Sequence, residues 1–118
     1  MTAPGSEVDP IVRLVTVSPE ALSTTLHESA VAHPRAGGRV MFCGVVRNVD
    51  TGREVVEIEY EGHPSAEAVL LEIAESFASD PEVLALAVSH RVGRLAVGDV
   101  ALVAVVATQH RRAAFAPL

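Results

Sequence analysis

Two His-Arg pairs, His90-Arg91 and His110-Arg111, carry the side chains best suited to hold an anion and move a proton. A guanidinium grips carboxylate or phosphate through parallel N–H donors, and an imidazole exchanges its proton near neutral pH. Both pairs lie in one stretch, SHRVGRLAVGDVALVAVVATQHRRAAF, at 89–115. Behind the run VALVAVVA, the segment TQHRRAAF changes from polar to Ala-rich, as a strand feeding a helix would. Such a junction sets His110, Arg111 and Arg112 near the open N–H groups of a helix start, which favour an anion. Arg47 is a further candidate, because it closes the apolar run RVMFCGVVR beside the polar, turn-rich NVDTG. A charge there either faces a cleft or snorkels to solvent. His110 has a similar alternative, as a strand-end histidine satisfied by its neighbours.

The elements that must position these groups follow from periodicity. The run at 100–107 is β-branched and far too short to span a bilayer, so it reads as a buried strand. Val97-Gly98-Asp99 before it is turn chemistry, with Gly admitting positive φ and Asp bonding its own backbone. At 11–17, IVRLVTV alternates as a strand does. Ser18-Pro19-Glu20 then has the N-cap, first-turn Pro and acidic residue of a helix start. Leu22, Leu26 and Ala30 recur on one face of that helix, which Pro34 and Gly37-Gly38 end. His27 and His33 have no carboxylate or thiol at ligand spacing and read as surface residues.

The run at 39–47 is apolar on both faces, the pattern of a central strand. Gly44 within it signals a bulge or a close backbone approach. EVVEIEYE at 54–61 alternates as a half-exposed strand, its glutamates forming a solvent face rather than a set of general bases. A second helix opens at His63-Pro64-Ser65, with Ala66, Val69, Leu70, Ile73 and Phe77 as its buried face. Asp80-Pro81 breaks it. Strands over 83–90, 94–97 and 100–107 complete the order. The fold class is α+β, two helices packed on a mainly antiparallel sheet.

Composition bounds the function. The chain of 118 residues is the length of one domain, read as a leader over 1–10, expected to be disordered, and a single domain over 11–118. A net charge of −6 argues against nucleic-acid binding. All nine basic residues are Arg, and the acidic residues crowd into 54–82, so a cationic site would be local. One cysteine, Cys43, allows no internal disulfide, which fits a reducing cytoplasm; in an apolar strand it reads as inert core rather than a nucleophile. There is no apolar run long enough for a membrane helix and no signal-peptide pattern at the start. GxxxxGK[ST], HExxH, CxxC and GxSxG are all missing, which leaves no motif for a metal or cofactor. A Ser-His-Asp set of Ser89, His110 and Asp99 exists on paper, without a nucleophile elbow to support it.

Several of these residues fall into a known pattern. His90, Arg91, Gly93, Leu95, Gly98 and Asp99 match HR-x-G-x-L-x-x-G-[DE], and His110, Arg111, Ala114 and Phe115 match HR-x-x-AF. Upstream, Phe42, Gly44, Val46, Arg47 and Gly52 match F-x-G-x-VR-x-x-x-x-G, and YEGHPSAEAVL opens the second helix. Over roughly 39–115 the chain resembles the large, catalytic subunit of molybdopterin synthase. The resemblance implies an α/β-hammerhead fold and a sulfur transfer. A ubiquitin-like small subunit would present a thiocarboxylate on its Gly-Gly tail, and the sulfur would pass to cyclic pyranopterin monophosphate in molybdenum cofactor biosynthesis. It also implies a homodimer within a heterotetramer. Arg47, His110 and Arg111 match the family's pocket and Phe42 its lining, with His110 and Arg47 as the catalytic candidates. If the reading holds, Arg47, His110 and Arg111 converge on one concave surface.

The family pattern continues into a P-x-W-K segment whose lysines belong to its active site, and this chain has no Lys or Trp. Arg cannot replace an amine base, since it stays protonated. The expectation is therefore a C-terminally short domain with little or no turnover of its own. The alternative function is a relative that only docks the sulfur carrier or dimerises.

Overall fold

The computed structural model describes residues 11–50, 53, 54, 57–60 and 64–115, with side chains described for 11–48 and 64–115. In chain order the elements are β1 (Val12–Ser18), α1 (Thr24–Ala30), β2 (Gly38–Val45), β3 (Val49–Asp50), β4 (Arg53–Glu54) and β5 (Glu57–Tyr60). They continue as α2 (Ala66–Ala78), β6 (Val83–Arg91), β7 (Gly93–Ala96), β8 (Val100–Thr108) and α3 (Arg111–Phe115). The leader, and the face taken by the glutamates of 54–61, lie outside the described residues and side chains.

The apolar run at 100–107 does become the middle of a sheet. Four strands take the order β1-β6-β8-β2. β8 pairs antiparallel with both β6 and β2, while β1 joins β6 in parallel. Two short antiparallel ladders, β3-β4 and β5-β7, stand beside it. Successive side chains of a strand point to opposite faces, so the sheet has two cores. On one face Ala85, Ala87, Val103, Val105 and Ala107 pack with Val31 just after α1. On the other, Val83, Leu86 and Val106 pack with Ala74 of α2 and Ala114 of α3. The expected α+β class with a mainly antiparallel sheet holds, and the helix expected to follow the last strand is the short α3. No helix among the described residues is long and apolar enough to cross a membrane.

The first helix starts five residues later than Ser18-Pro19-Glu20 suggests. Ser18 is spent as the last residue of β1, paired with Arg91, and its hydroxyl accepts the Glu20 N–H at 3.2 Å. The N-cap is Ser23, whose Oγ accepts the Leu26 N–H at 3.0 Å. That shift rotates the buried face. Leu26 is 58 % exposed and His27 only 2 %, so His27 is a core residue and not the surface histidine expected. Its Nδ1 meets the Ser23 carbonyl oxygen at 2.6 Å and its Nε2 meets Ser89 Oγ at 2.7 Å. Thr16 Oγ1 donates to Ser89 Oγ at 2.6 Å, so every polar group in this buried chain has a partner.

Two further expectations change. Of the α2 face, only Ala74 is fully buried, and Val69, Ile73 and Phe77 remain 41–49 % exposed. The helix lies over β1 and β6 and leaves that apolar stripe uncovered. β2, expected in the centre, is an edge strand. Its apolar residues on both faces are real, but Met41, Phe42 and Val45 are at least 39 % exposed.

Candidate functional site

The junction between β8 and α3 is built to hold His110. Thr108 Oγ1 donates to the His110 carbonyl oxygen at 2.6 Å, which tightens the turn leaving the strand. The Gln109 N–H reaches the Glu82 carbonyl oxygen at 3.0 Å. Glu82 Oε1 accepts the His110 backbone N–H at 3.2 Å and lies 2.9 Å from its Nδ1. With Nδ1 donating to the carboxylate, Nε2 is left as the open, proton-accepting nitrogen of an exposed ring. Gly37 and Gly38 make the fit possible. A Cβ at Gly37 would sit 2.3 Å from the Gln109 carbonyl oxygen, and one at Gly38 2.4 Å from the Arg111 Cα. Arg111 therefore starts α3 in direct contact with the first residue of β2. Buried Ala114 anchors the helix while Arg111 and Arg112 stay exposed. With only five residues, α3 offers little macrodipole, so the cationic side chains carry the anion chemistry.

Arg47 is elsewhere. β2 runs antiparallel to β8, pairing Gly38 with Thr108 and Val45 with Val100. Arg47 follows the Val45 end, where the Val46 N–H reaches the Asp99 carbonyl oxygen at 3.0 Å. His110 follows the opposite end. At ~3.3 Å per residue, roughly 25 Å of strand separates them. The expected convergence of Arg47 with His110 and Arg111 does not occur within one chain. Both residues follow the C-terminal ends of their strands, and antiparallel strands put those ends on opposite sides of the sheet. Phe42 lies mid-strand and half exposed, with its ring edge 3.7 Å from where a Gly44 Cβ would stand. The tighter approach at Gly44 is from Leu102 Cβ of β8, at 3.3 Å from the same point. The register shift between Gly44 and Val45 is the bulge that Gly44 signalled.

The MoaE protein family model matches residues 17–118. This chain belongs to the MoaE family. It is 39 % identical over 82 residues to the molybdopterin synthase catalytic subunit of Halalkalibacterium halodurans, covering 69 % of this chain and 53 % of that protein. It is 32 % identical over 102 residues to the Aspergillus niger subunit of the same name, covering 86 % and 57 %. The chain thus spans a little over half the length of these curated relatives. Among solved structures, that of molybdopterin synthase from Staphylococcus aureus superposes with a TM-score of 0.78 at 27 % identity, covering 86 % of this chain and 74 % of that one.

Much of the MoaE-family pattern in this chain is framework. Gly93 and Gly98 have φ of 94° and 95°, where a side chain would be strained. Leu95 is wholly buried beside Val46 and Ala101. Asp99 Oδ2 accepts the Ala96 N–H at 2.8 Å and pairs with Arg91 at 3.5 Å. Arg91 also donates to the Pro19 carbonyl oxygen at 3.0 Å, so it ties β6 to the β1 exit. His90 and Arg91 support the sheet. Ser89 is fully buried against His27, far from a Ser89-His110-Asp99 arrangement. Sequence reading missed Glu82, because 28 positions separate it from His110 and no pattern links them. It took Gly37-Gly38 as a helix stop, although paired glycines also signal close backbone approach.

Proposed function

We propose that this chain acts in the sulfur-transfer step that forms the dithiolene of molybdopterin. A ubiquitin-like carrier would deliver a thiocarboxylate tail, and cyclic pyranopterin monophosphate would receive the sulfur. The observation that carries the reading is the exposed His110-Arg111 pair, oriented by Glu82 and seated against Gly38, in a chain of the MoaE family. A thiocarboxylate that gives up its sulfur ends as a carboxylate, so water oxygen must replace sulfur and a proton must be handled. His110 Nε2 is the nitrogen placed to take that proton. Arg111 and Arg47 suit the phosphate and the tail carboxylate, which a guanidinium binds bidentately. The setting is the cytoplasm.

A second copy completes the site in this proposal. β2 is an exposed apolar edge, and an edge strand recruits another strand. A two-fold axis near the middle of β2, at Met41-Phe42, would pair it antiparallel with its own copy. That arrangement lays the Arg47 end of one chain beside the Gly38–Arg111 corner of the other. The 25 Å separation within one chain becomes a neighbour relation between two. Two carriers on such a pair would make the heterotetramer.

A second reading has its own observation. All nine basic side chains are Arg, so the 118 residues contain no side-chain amine to act as base or nucleophile. A protein that docks the carrier without turnover fits that composition. The test supplies thiocarboxylated carrier and the pyranopterin precursor and follows dithiolene formation. Formation that falls with His110→Ala supports the first reading. Carrier binding with no dithiolene supports the second, and neither binding nor product contradicts both.

A further inference from the structure

A cleft of about 490 Å³ opens at the other side of the β8–α3 junction, between the start of β1, the turn after α1 and the turn after α2. Its size falls within the range of small-molecule sites, about 300–1,000 Å³. Its lining includes the two cationic side chains Arg13 and Arg35 and the imidazole of His33. The end of α2 and the turn after it contribute Ala78, Ser79 and Asp80, and Ile11 and Val83 add apolar surface. Arg13, His33 and Arg35 are held in place. Arg13 Nη1 donates to the Ala30 carbonyl oxygen at 3.1 Å, which fixes the guanidinium against the end of α1. His33 Nδ1 accepts the Arg35 backbone N–H at 3.1 Å, so the neutral ring carries its proton on Nε2 and is a donor there. Arg35 Nη2 donates to Gln109 Oε1 at 3.2 Å, and Gln109 Nε2 donates to the Pro81 carbonyl oxygen at 3.3 Å. Gln109 thus ties Arg35 to the turn after α2. The Asp80 carboxylate is engaged in its own turn, accepting the Glu82 N–H at 2.9 Å.

We propose that this cleft is a second anion site that takes a small phosphate monoester, with the phosphate on Arg13, His33 and Arg35. Donors from three points suit a tetrahedral oxyanion better than a planar carboxylate, which one guanidinium fork would satisfy. The remainder of the ligand faces Ile11, Val83 and Asp80. An organic group with hydroxyls matches those residues, since its O–H groups can donate to the carboxylate and its carbons can cover the apolar surface. The cleft is separate from the His110–Arg111 site, yet Gln109 is the residue before His110. A ligand that draws Arg35 away from Gln109 Oε1 therefore reports at the Gln109 side-chain amide.

Glycerol 3-phosphate and inorganic phosphate are the probes, titrated into the full chain by calorimetry and by heteronuclear NMR of the His33 imidazole and the Gln109 side-chain amide. The expected result is saturable binding with shifts at both groups. Arg35→Gln, an exposed change that spares the fold, weakens it about tenfold or more. Arg13→Gln does likewise at unchanged circular dichroism, and His110→Ala leaves the affinity unaltered. Tighter binding of glycerol 3-phosphate identifies an organic monoester; equal affinities identify free phosphate, and both support the site. Shifts that fail to saturate at millimolar ligand, that centre on His110 and Arg111, or that persist in the Arg13→Gln/Arg35→Gln double variant would overturn it.

Discussion

Glu82 sets what His110 can do. A carboxylate on Nδ1 selects one tautomer and points Nε2 outward, as carboxylate–imidazole pairs do wherever a histidine must accept a proton. Glu82→Ala should leave carrier binding intact and lower sulfur transfer about tenfold or more, with imidazole nitrogen NMR showing mixed tautomers. An unchanged tautomer would remove Glu82 from the account. His27 makes the opposite kind of prediction. It is buried and pairs with Ser89, so His27→Leu strands a hydroxyl and should cost about 1–3 kcal/mol by urea unfolding, without touching the site. An unmoved midpoint would show that Thr16 alone satisfies Ser89. The sequence made His110 and Arg111 legible because their types and spacing are chemical. It could not reveal Glu82 or the burial of His27, which depend on pairings across 28 and 62 positions.

At the scale of elements, Gly37-Gly38 and β2 decide the architecture of the site. Gly38→Ala would force its Cβ into the Arg111 backbone, and backbone cannot step aside as a flexible side chain can. The expected outcome is a loss of about 1–3 kcal/mol together with weaker carrier binding, checked by unfolding and calorimetry on the same sample. Normal binding would mean that the α3 start does not need its seat on β2. The apolar strands and the helix break at Asp80-Pro81 could be read from periodicity, which is why sheet and class were recovered. The position of β2 could not. An apolar strand with two greasy faces says that something covers it, but not whether the cover belongs to the same chain. The first helix was misplaced for a related reason: Ser18 has the chemistry of a cap, but parallel pairing with β6 outcompetes it.

At the scale of the molecule, the distance between Arg47 and His110 matters most. Two halves of an anion site at opposite ends of one strand pair work separately, or they meet their counterparts in a second copy. Light scattering at tens of micromolar should give a dimer mass, and Met41→Glu with Val45→Glu, both on the exposed edge, should give a monomer. A dimer that survives both charges would place the interface elsewhere. The shared site has a sharper test in complementation. Arg47→Gln and His110→Ala chains, each inactive alone, are unfolded, mixed in equal amounts and refolded, and sulfur transfer from thiocarboxylated carrier is followed. Half of the random dimers are then mixed, and each mixed dimer has one intact site of two, so the account predicts about a quarter of the parent rate. A mixture no more active than the two variants apart would contradict it, because Arg47 and His110 would then have to act from the same chain.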